Sequence, residues 1–287
     1  MGDDRGERMG RRDEVLVDTG WVAVHLDDPG VRIVEVDEDT TAYREAHIPG
    51  AVAWHWRDDL HDHPRRDFVS QDQVAALLAR SGVGPDTTVV LYGGSNNWFA
   101  AYAYWILRLR GFDRIRLMDG GRRKWEREGR VLVDAPVEPA PADPGPLGPE
   151  QPGVRAWRDE VLAHQGGLGN VFVDVRSPAE YSGEMLAPPH LPGEQAQVPG
   201  HIPGAVNVPW ASAVREDGTF RDDDELAALY GGLGITPDTD VITYCRIGER
   251  SSHTWFVLHE LLGYPRVRNY DGSWTEYGSL VGVPIGR

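Results

Sequence analysis

The hexapeptide H-I-P-G-A-V stands at His47–Val52 and again at His201–Val206, 154 residues later. Two further blocks repeat in the same order. V-V-L-Y at Val89–Tyr92 answers V-I-T-Y at Val241–Tyr244, at an offset of 152. G-F-D-R-I-R-L-M-D-G-G from Gly111 answers G-Y-P-R-V-R-N-Y-D-G-S from Gly263, again at 152. Three matched blocks at a nearly constant spacing point to an ancient duplication of a unit of roughly 130 residues, an ordinary domain size.

Within each copy, short β-rich runs alternate with amphipathic segments. In the first copy, strands are expected over 31–36, 89–92 and 114–118, and helices over 70–80 and 98–109. In the second, strands are expected over 171–175, 241–244 and 267–270, and helices over 221–230 and 251–262. Gly82, Gly111, Gly232 and Gly263 stand where helix ends favour a left-handed residue. The alternation predicts an α/β protein of two tandem domains, each a mostly parallel sheet flanked by helices. Ligands then gather at the carboxyl ends of the strands.

The copies span 15–133 and 154–287. Between them, 134–153 is dominated by Pro, Ala and Gly and reads as a semi-stiff surface linker. The second copy carries an insertion, 182–200, that reads as an irregular loop. The charged stretch 1–14 reads as a disordered tail; without an apolar core it does not resemble a secretory signal. Ten Trp within 287 residues supply apolar surface for two cores. A net charge of -16 argues against non-specific nucleic-acid binding. No apolar run approaches the roughly 20 residues of a membrane-spanning helix. The single cysteine excludes an intrachain disulfide framework and a Cys-rich zinc site, and suggests a reducing compartment. A cytoplasmic protein is the expectation.

That cysteine, Cys245, follows a strand directly in Y-C-R-I-G-E-R-S-S-H, Tyr244–His253. The sequence suggests a six-residue loop, 245–250, with Ser251 or Ser252 capping the next helix. Curled backbone N–H groups, the helix dipole and the charges of Arg246 and Arg250 converge there. Such surroundings can lower a thiol from about 8.5 to roughly 3.5–7.5, and the same cradle would hold an anionic substrate. The first copy provides a control. It reads Tyr92-Gly-Gly-Ser-Asn-Asn-Trp98 at the matching place, with neither thiol nor cation. One copy reads as catalytic and the other as supporting.

The C-R-I-G-E-R loop, the paired H-I-P-G-A-V segments and Y-D-G-S-W at Tyr270–Trp274 resemble two-domain rhodaneses, the thiosulfate sulfurtransferases, of actinobacterial type. The likeness runs from about Val15 to Ile285. It implies a non-catalytic N-terminal domain, a catalytic C-terminal one and a ping-pong reaction without metal or organic cofactor. Cys245 would be the nucleophile, attacking thiosulfate, releasing sulfite and keeping a persulfide. Cyanide or a thiol then removes the sulfur. Arg250, preferred, and Arg246 would bind the anion, with Ile247, Gly248 and Glu249 offering backbone N–H groups. Asp174 and Arg176 would form a supporting ion pair, and Trp274 would wall the pocket or pack the core. The chain departs from animal members, which carry a lysine where Ile247 stands and an arginine where Glu180 stands. The alternatives are a mercaptopyruvate sulfurtransferase, whose loop resembles C-G-S-G, and a persulfide relay to a protein acceptor. Cys-dependent phosphatases place five residues between cysteine and arginine; here four intervene.

Other polar residues have plainer readings. His47 and His201 occupy equivalent positions in both copies, so a structural role is expected. His61, Asp62 and His63 read as a solvated loop rather than a metal site. His253, within the first turns of the helix after the cysteine, is a candidate for tuning charge.

Overall fold

The computed structural model describes residues 12–188 and 195–287. Most of the expected tail, and 189–194 of the expected insertion loop, lie outside the described residues. Residues 12–15 are helical, so regular structure reaches into the tail expected over 1–14.

The chain separates into two compact units. One holds 12–152 with 214–220; the other holds 153–213 and 221–287. In the first, a parallel sheet is built from β1 (Leu16–Val17), β2 (Val31–Asp37), β3 (Val52–His55), β6 (Thr88–Tyr92) and β7 (Ile115–Met118), in the order β1-β7-β6-β2-β3. A short antiparallel ribbon, β4 (His61–Asp62) with β5 (Asp67–Phe68), lies apart from it. The second unit repeats the scheme with β8 (Asn170–Asp174), β9 (Val206–Asn207), β10 (Asp240–Tyr244) and β11 (Val267–Asn269), in the order β11-β10-β8-β9, again parallel. A parallel bridge from Arg155 to Asn269 stands where β1 pairs with β7 in the first unit. The central strands β6 and β10 are apolar runs buried on both faces, as a helix-covered parallel sheet requires.

Helix starts follow side-chain chemistry. Ser70 and Gln73 form a reciprocal capping box before Gln71–Arg80, as do Ser177 and Glu180 before Pro178–Ser182 and Asp222 and Glu225 before Asp223–Gly231. The helix after β10 departs from expectation. It begins at Glu249, runs to Trp255 and continues as a π-helical turn, Phe256–Leu261. Gly248, left-handed at φ 98°, is its N-cap in place of a serine, so the loop is four residues, 245–248. The other helix-end glycines behave as expected except Gly232, which stays right-handed while Gly234 takes the turn at φ 79°.

Around the repeated hexapeptide the duplication extends to hydrogen bonds. His47 Nδ1–H donates to Tyr43 O over 2.8 Å and its ring stacks on that tyrosine; His201 does the same with Tyr181 over 2.9 Å. The Tyr43 and Tyr181 hydroxyls donate to Ala51 O and Ala205 O. The Tyr92 and Tyr244 hydroxyls accept from Ile48 N and Ile202 N. Each H-I-P-G-A-V segment thus staples a strand to its neighbours, which accounts for both histidines. His61 lies in an aromatic cluster, 2.8 Å from the Tyr102 hydroxyl.

The Pro-rich stretch is bound to the first unit rather than spanning freely. Ala142 N donates to Ala79 O, Gly148 N to Gly111 O and Gln151 N to Leu109 O, at 3.0, 2.8 and 2.8 Å. Residues 214–220 also belong to the first unit. They form a turn closed by Val214 and Phe220, with Phe220 N donating to Asp119 and Lys124 paired to Asp217 at 2.9 Å. No repeat or linker signal marks that excursion. No helix of the described residues is long and apolar enough to cross a membrane.

Candidate active site

Cys245 follows the last residue of β10 and is fully buried. Two chain segments shape its loop. Ser273, held at φ 51°, accepts the Cys245 N–H at 3.0 Å on its hydroxyl and donates its own O–H to Tyr270 O. Trp274 N and Thr275 N then bond Cys245 O and Arg246 O, at 3.1 and 3.0 Å. From the other side, the Asn269 amide donates to Gly248 O and accepts from the Ser251 hydroxyl. With the loop carbonyls engaged in this way, the Gly248 N–H is left to point at the sulfur, 3.1 Å from Sγ.

Gly248 must be glycine. An added Cβ would lie 2.7 Å from Asp271 Cα, at a φ that L side chains avoid. Asp271 is itself fixed by Arg155 through two bonds of 2.8 and 2.9 Å.

The charges differ from expectation in two respects. The Arg250 guanidinium is clamped by Glu180, with Nη1–Oε2 and Nη2–Oε1 both 2.9 Å. It therefore stands as a fixed positive charge inside the site, already engaged by a carboxylate. Burial works to raise the Glu180 carboxyl, yet Arg250 and Ser177 hold it down, to about 2. Glu180 occupies the very position where animal relatives were expected to carry arginine; here the carboxylate recruits Arg250 instead.

The second difference concerns the thiol. Burial pushes Cys245 up, and Glu249 pushes it further, while Arg250 and the N–H and hydroxyl of Ser251 pull the other way. The expectation of a depressed thiol is thereby corrected. Counting arginines and a helix dipole omitted the desolvation of a fully buried sulfur, and treated Glu249 as a backbone donor only. Its side chain reaches back into the loop, with Oε2 3.5 Å from Sγ.

Arg246 is buried at 7 % exposure, and Ile247 is half-buried. Asp174 and Arg176 form the expected ion pair, at 2.6 and 2.9 Å, and Arg176 also donates to Gly200 O. The Trp274 ring packs under the Arg176 guanidinium at 4.9 Å, within the core of the second unit. Its indole N–H donates to Val198 O. His253 is fully buried and held down, to about 3, by desolvation, so it is neutral near pH 7 and does not tune the site's charge. The roles of Ser273, Asn269 and the Glu180 side chain were missed at the level of sequence, although Ser273 lies in the Y-D-G-S-W stretch and Glu180 in an S-P-A-E capping pattern.

The rhodanese-like domain pattern matches this chain twice, over residues 18–128 and 158–280. The chain belongs to the rhodanese-like family. It is a sulfurtransferase of two tandem rhodanese-like domains, and its charged loop lies in the second. A Saccharopolyspora erythraea protein named "Putative thiosulfate sulfurtransferase" is 56% identical over 275 residues, covering 96% of each chain. The sulfur carrier protein TtuD of Thermus thermophilus is 54% identical over 279 residues, covering 96% of this rhodanese and 97% of that protein. The crystal structure of YnjE superposes with a TM-score of 0.83 at 26% identity, over 96% of this chain and 68% of that one.

Proposed function

We propose that this rhodanese moves the sulfane sulfur of thiosulfate through a persulfide on Cys245. The observation that carries the reading is the Gly248 N–H, 3.1 Å from Sγ, at the head of a C-R-I-G-E-R loop on a parallel-strand end. The Cys245 thiolate attacks the outer sulfur of thiosulfate. A new S–S bond forms, and the old one breaks with its electron pair leaving on sulfite. Cyanide or a thiol then attacks the outer sulfur of the persulfide and returns the thiolate. Arg246, with the N–H groups of Ile247, Gly248 and Glu249, faces the anionic donor. Arg250, fixed by Glu180, supplies positive charge beside the sulfur. Asp174, Arg176 and Trp274 support the loop from below.

The reading is tested by mass spectrometry after thiosulfate treatment, with thiocyanate release measured in parallel. One added sulfur in the wild type, absent in Cys245→Ser, is the expected result. An unmodified wild type overturns it. Mercaptopyruvate serves as the competing donor; Arg246, where a small residue is expected for that substrate, favours the inorganic dianion. A second reading is favoured by the 54% identical relative, whose name is that of a sulfur carrier. In it, a thiolate of a protein acceptor attacks the outer sulfur of the Cys245 persulfide and the Cys245 thiolate leaves, which would appear as persulfide loading with slow turnover on cyanide.

A further inference from the structure

The loop that holds the nucleophile also holds a carboxyl group, for which sulfur transfer has so far supplied no use. Glu249 Oε2 lies 3.5 Å from Cys245 Sγ, and the two side chains are 3 % and 0 % exposed. Neither side chain is exposed, so the carboxylate oxygen lies nearer the thiol proton than bulk water does. The surrounding charges are mostly committed. Arg250 is bonded twice by Glu180, Arg176 by Asp174 and Arg155 by Asp271. Arg246 shares the loop, and the Ser251 and Ser273 hydroxyls flank it. An ionised thiol, an ionised Glu249 and a doubly charged donor would together place four negative charges around one buried sulfur. One proton retained in the pair reduces the four to three.

We propose that Glu249 is the proton acceptor for Cys245, its carboxyl taking the thiol proton and holding it while the sulfur is loaded. The assignment rests on Cys245 being the sulfur carrier. The first step is Cys245–SH with Glu249–COO⁻ going to Cys245–S⁻ with Glu249–COOH. Nothing is oxidised, and the net charge of the pair stays at one negative. The thiolate then attacks thiosulfate as above, while the protonated carboxyl can donate a hydrogen bond to the sulfur. Once the acceptor has taken the outer sulfur, the thiolate recovers its proton from Glu249.

Two groups this close titrate as a unit. Burial raises both; the charge of Glu249 pushes the thiol up further, while Arg250, Arg246 and the thiol's own hydrogen bond pull the carboxyl the other way. The first proton leaves to give a shared, singly charged pair. The second leaves at higher pH and restores a carboxylate beside the site. Alkylation of Cys245 should therefore rise with pH in two steps. KM for thiosulfate should climb through the upper step.

The test compares the wild type with Glu249→Gln and Glu249→Asp. The rate of iodoacetamide addition, followed by mass, is unambiguous because the chain has one cysteine. The glutamine variant is expected to show one step, below the wild-type upper step, and a thiosulfate KM that stays level with pH. In the wild type KM should rise about tenfold or more across the same range, the scale of one unit charge near a buried site. The aspartate variant should keep two steps. A single step in the wild type, or identical curves in wild type and Glu249→Gln, overturns the assignment. If the glutamine variant does not fold, the wild-type and aspartate curves still decide. Sulfur loading, read in parallel, separates the two ideas. A wild type that never gains sulfur fails the reading that thiosulfate loads Cys245; one that gains sulfur but titrates in one step fails only Glu249.

Discussion

The loops after β6 and β10 are twins in origin and opposites in chemistry. Both leave the carboxyl end of a central strand, and both are followed by a buried helix. In the first, Gly93 stands where Cys245 stands in the second, and a Cβ there would collide with the carbonyl oxygen of Val36. Ser95, Asn96 and Asn97 all take left-handed conformations, and the Asn97 amide closes the loop on itself by bonding Gly93 N and Met118 O. In the second, the residue matching Asn97 is Glu249, whose carboxyl faces the thiol. A side chain that satisfies its own backbone has been exchanged for one that can hold a proton. The buried carboxylates under the loops differ similarly. Glu35 pairs with Arg122 and with the Tyr92 hydroxyl, while its counterpart Asp174 takes Arg176. The position of Arg122 is filled by Trp274, which packs against that relocated guanidinium. The comparison teaches that the fold needs a cation under each loop but not from any one place in the chain.

The sharpest break would be at the sulfur. Cys245→Ser should abolish sulfur loading, since no other residue of the chain is a thiol. Loading that persists would mean that the contrast between the two loops is not catalytic.

Next is the clamp that the first unit has no need of. Glu180→Gln removes the carboxylate from a buried, doubly bonded arginine, a change that typically costs about 3–5 kcal/mol. Melting temperature and sulfur loading should both fall, and normal values for both would sink the view that Glu180 positions Arg250. The pH dependence has a definite sign. Glu180 is held at about 2, below its ordinary 4.5, so its contribution is complete above 4.5 and is lost as pH falls through 2. The gap in melting temperature between wild type and variant should therefore be widest near neutrality and close on acidification.

Gly248→Ala tests the loop backbone. Forcing a Cβ to a φ of 98° against Asp271 should cost about 1–3 kcal/mol and turn the N–H away from the sulfur. The expected result is a modest loss of stability with a larger loss of sulfur loading. Unchanged loading would show that the N–H contact is incidental.

The smallest effect belongs to the first unit. Asn96 is engaged by Arg123 at 3.3 Å on the surface, so Asn96→Ala should leave loading within about twofold of wild type. A loss comparable to that of Cys245→Ser would show the first unit to be more than a support.

Much of this was legible beforehand. The repeats located both sheets, and the six expected strands agreed with the structure to within a residue or two, because β-branched and apolar residues dominate them; β1, β3, β4, β5 and β9 were not expected, being runs of only two to four residues. Cys245 and its arginines could be singled out because charge beside a lone thiol at a strand end is rare, whereas the Asp174–Arg176 pair was expected from the family resemblance. The loop's length was not legible, because glycine's left-handed turn leaves no mark that distinguishes it from a flexible linker residue. Nor was the membership of 214–220 in the first unit, since no local pattern records where a turn will pack.

Taken alone, the order of residues determined that there are two copies, that each is an α/β unit, and that a single thiol ends one central strand. These depend on period, composition and identity, which are local properties. Only the folded molecule decided that Arg250 answers to Glu180, that the thiol is pushed up rather than down, and that Glu249 turns toward it. Those outcomes depend on burial and on contacts between residues as far apart as 180 and 250, and the energy of a charge is set by what surrounds it in space.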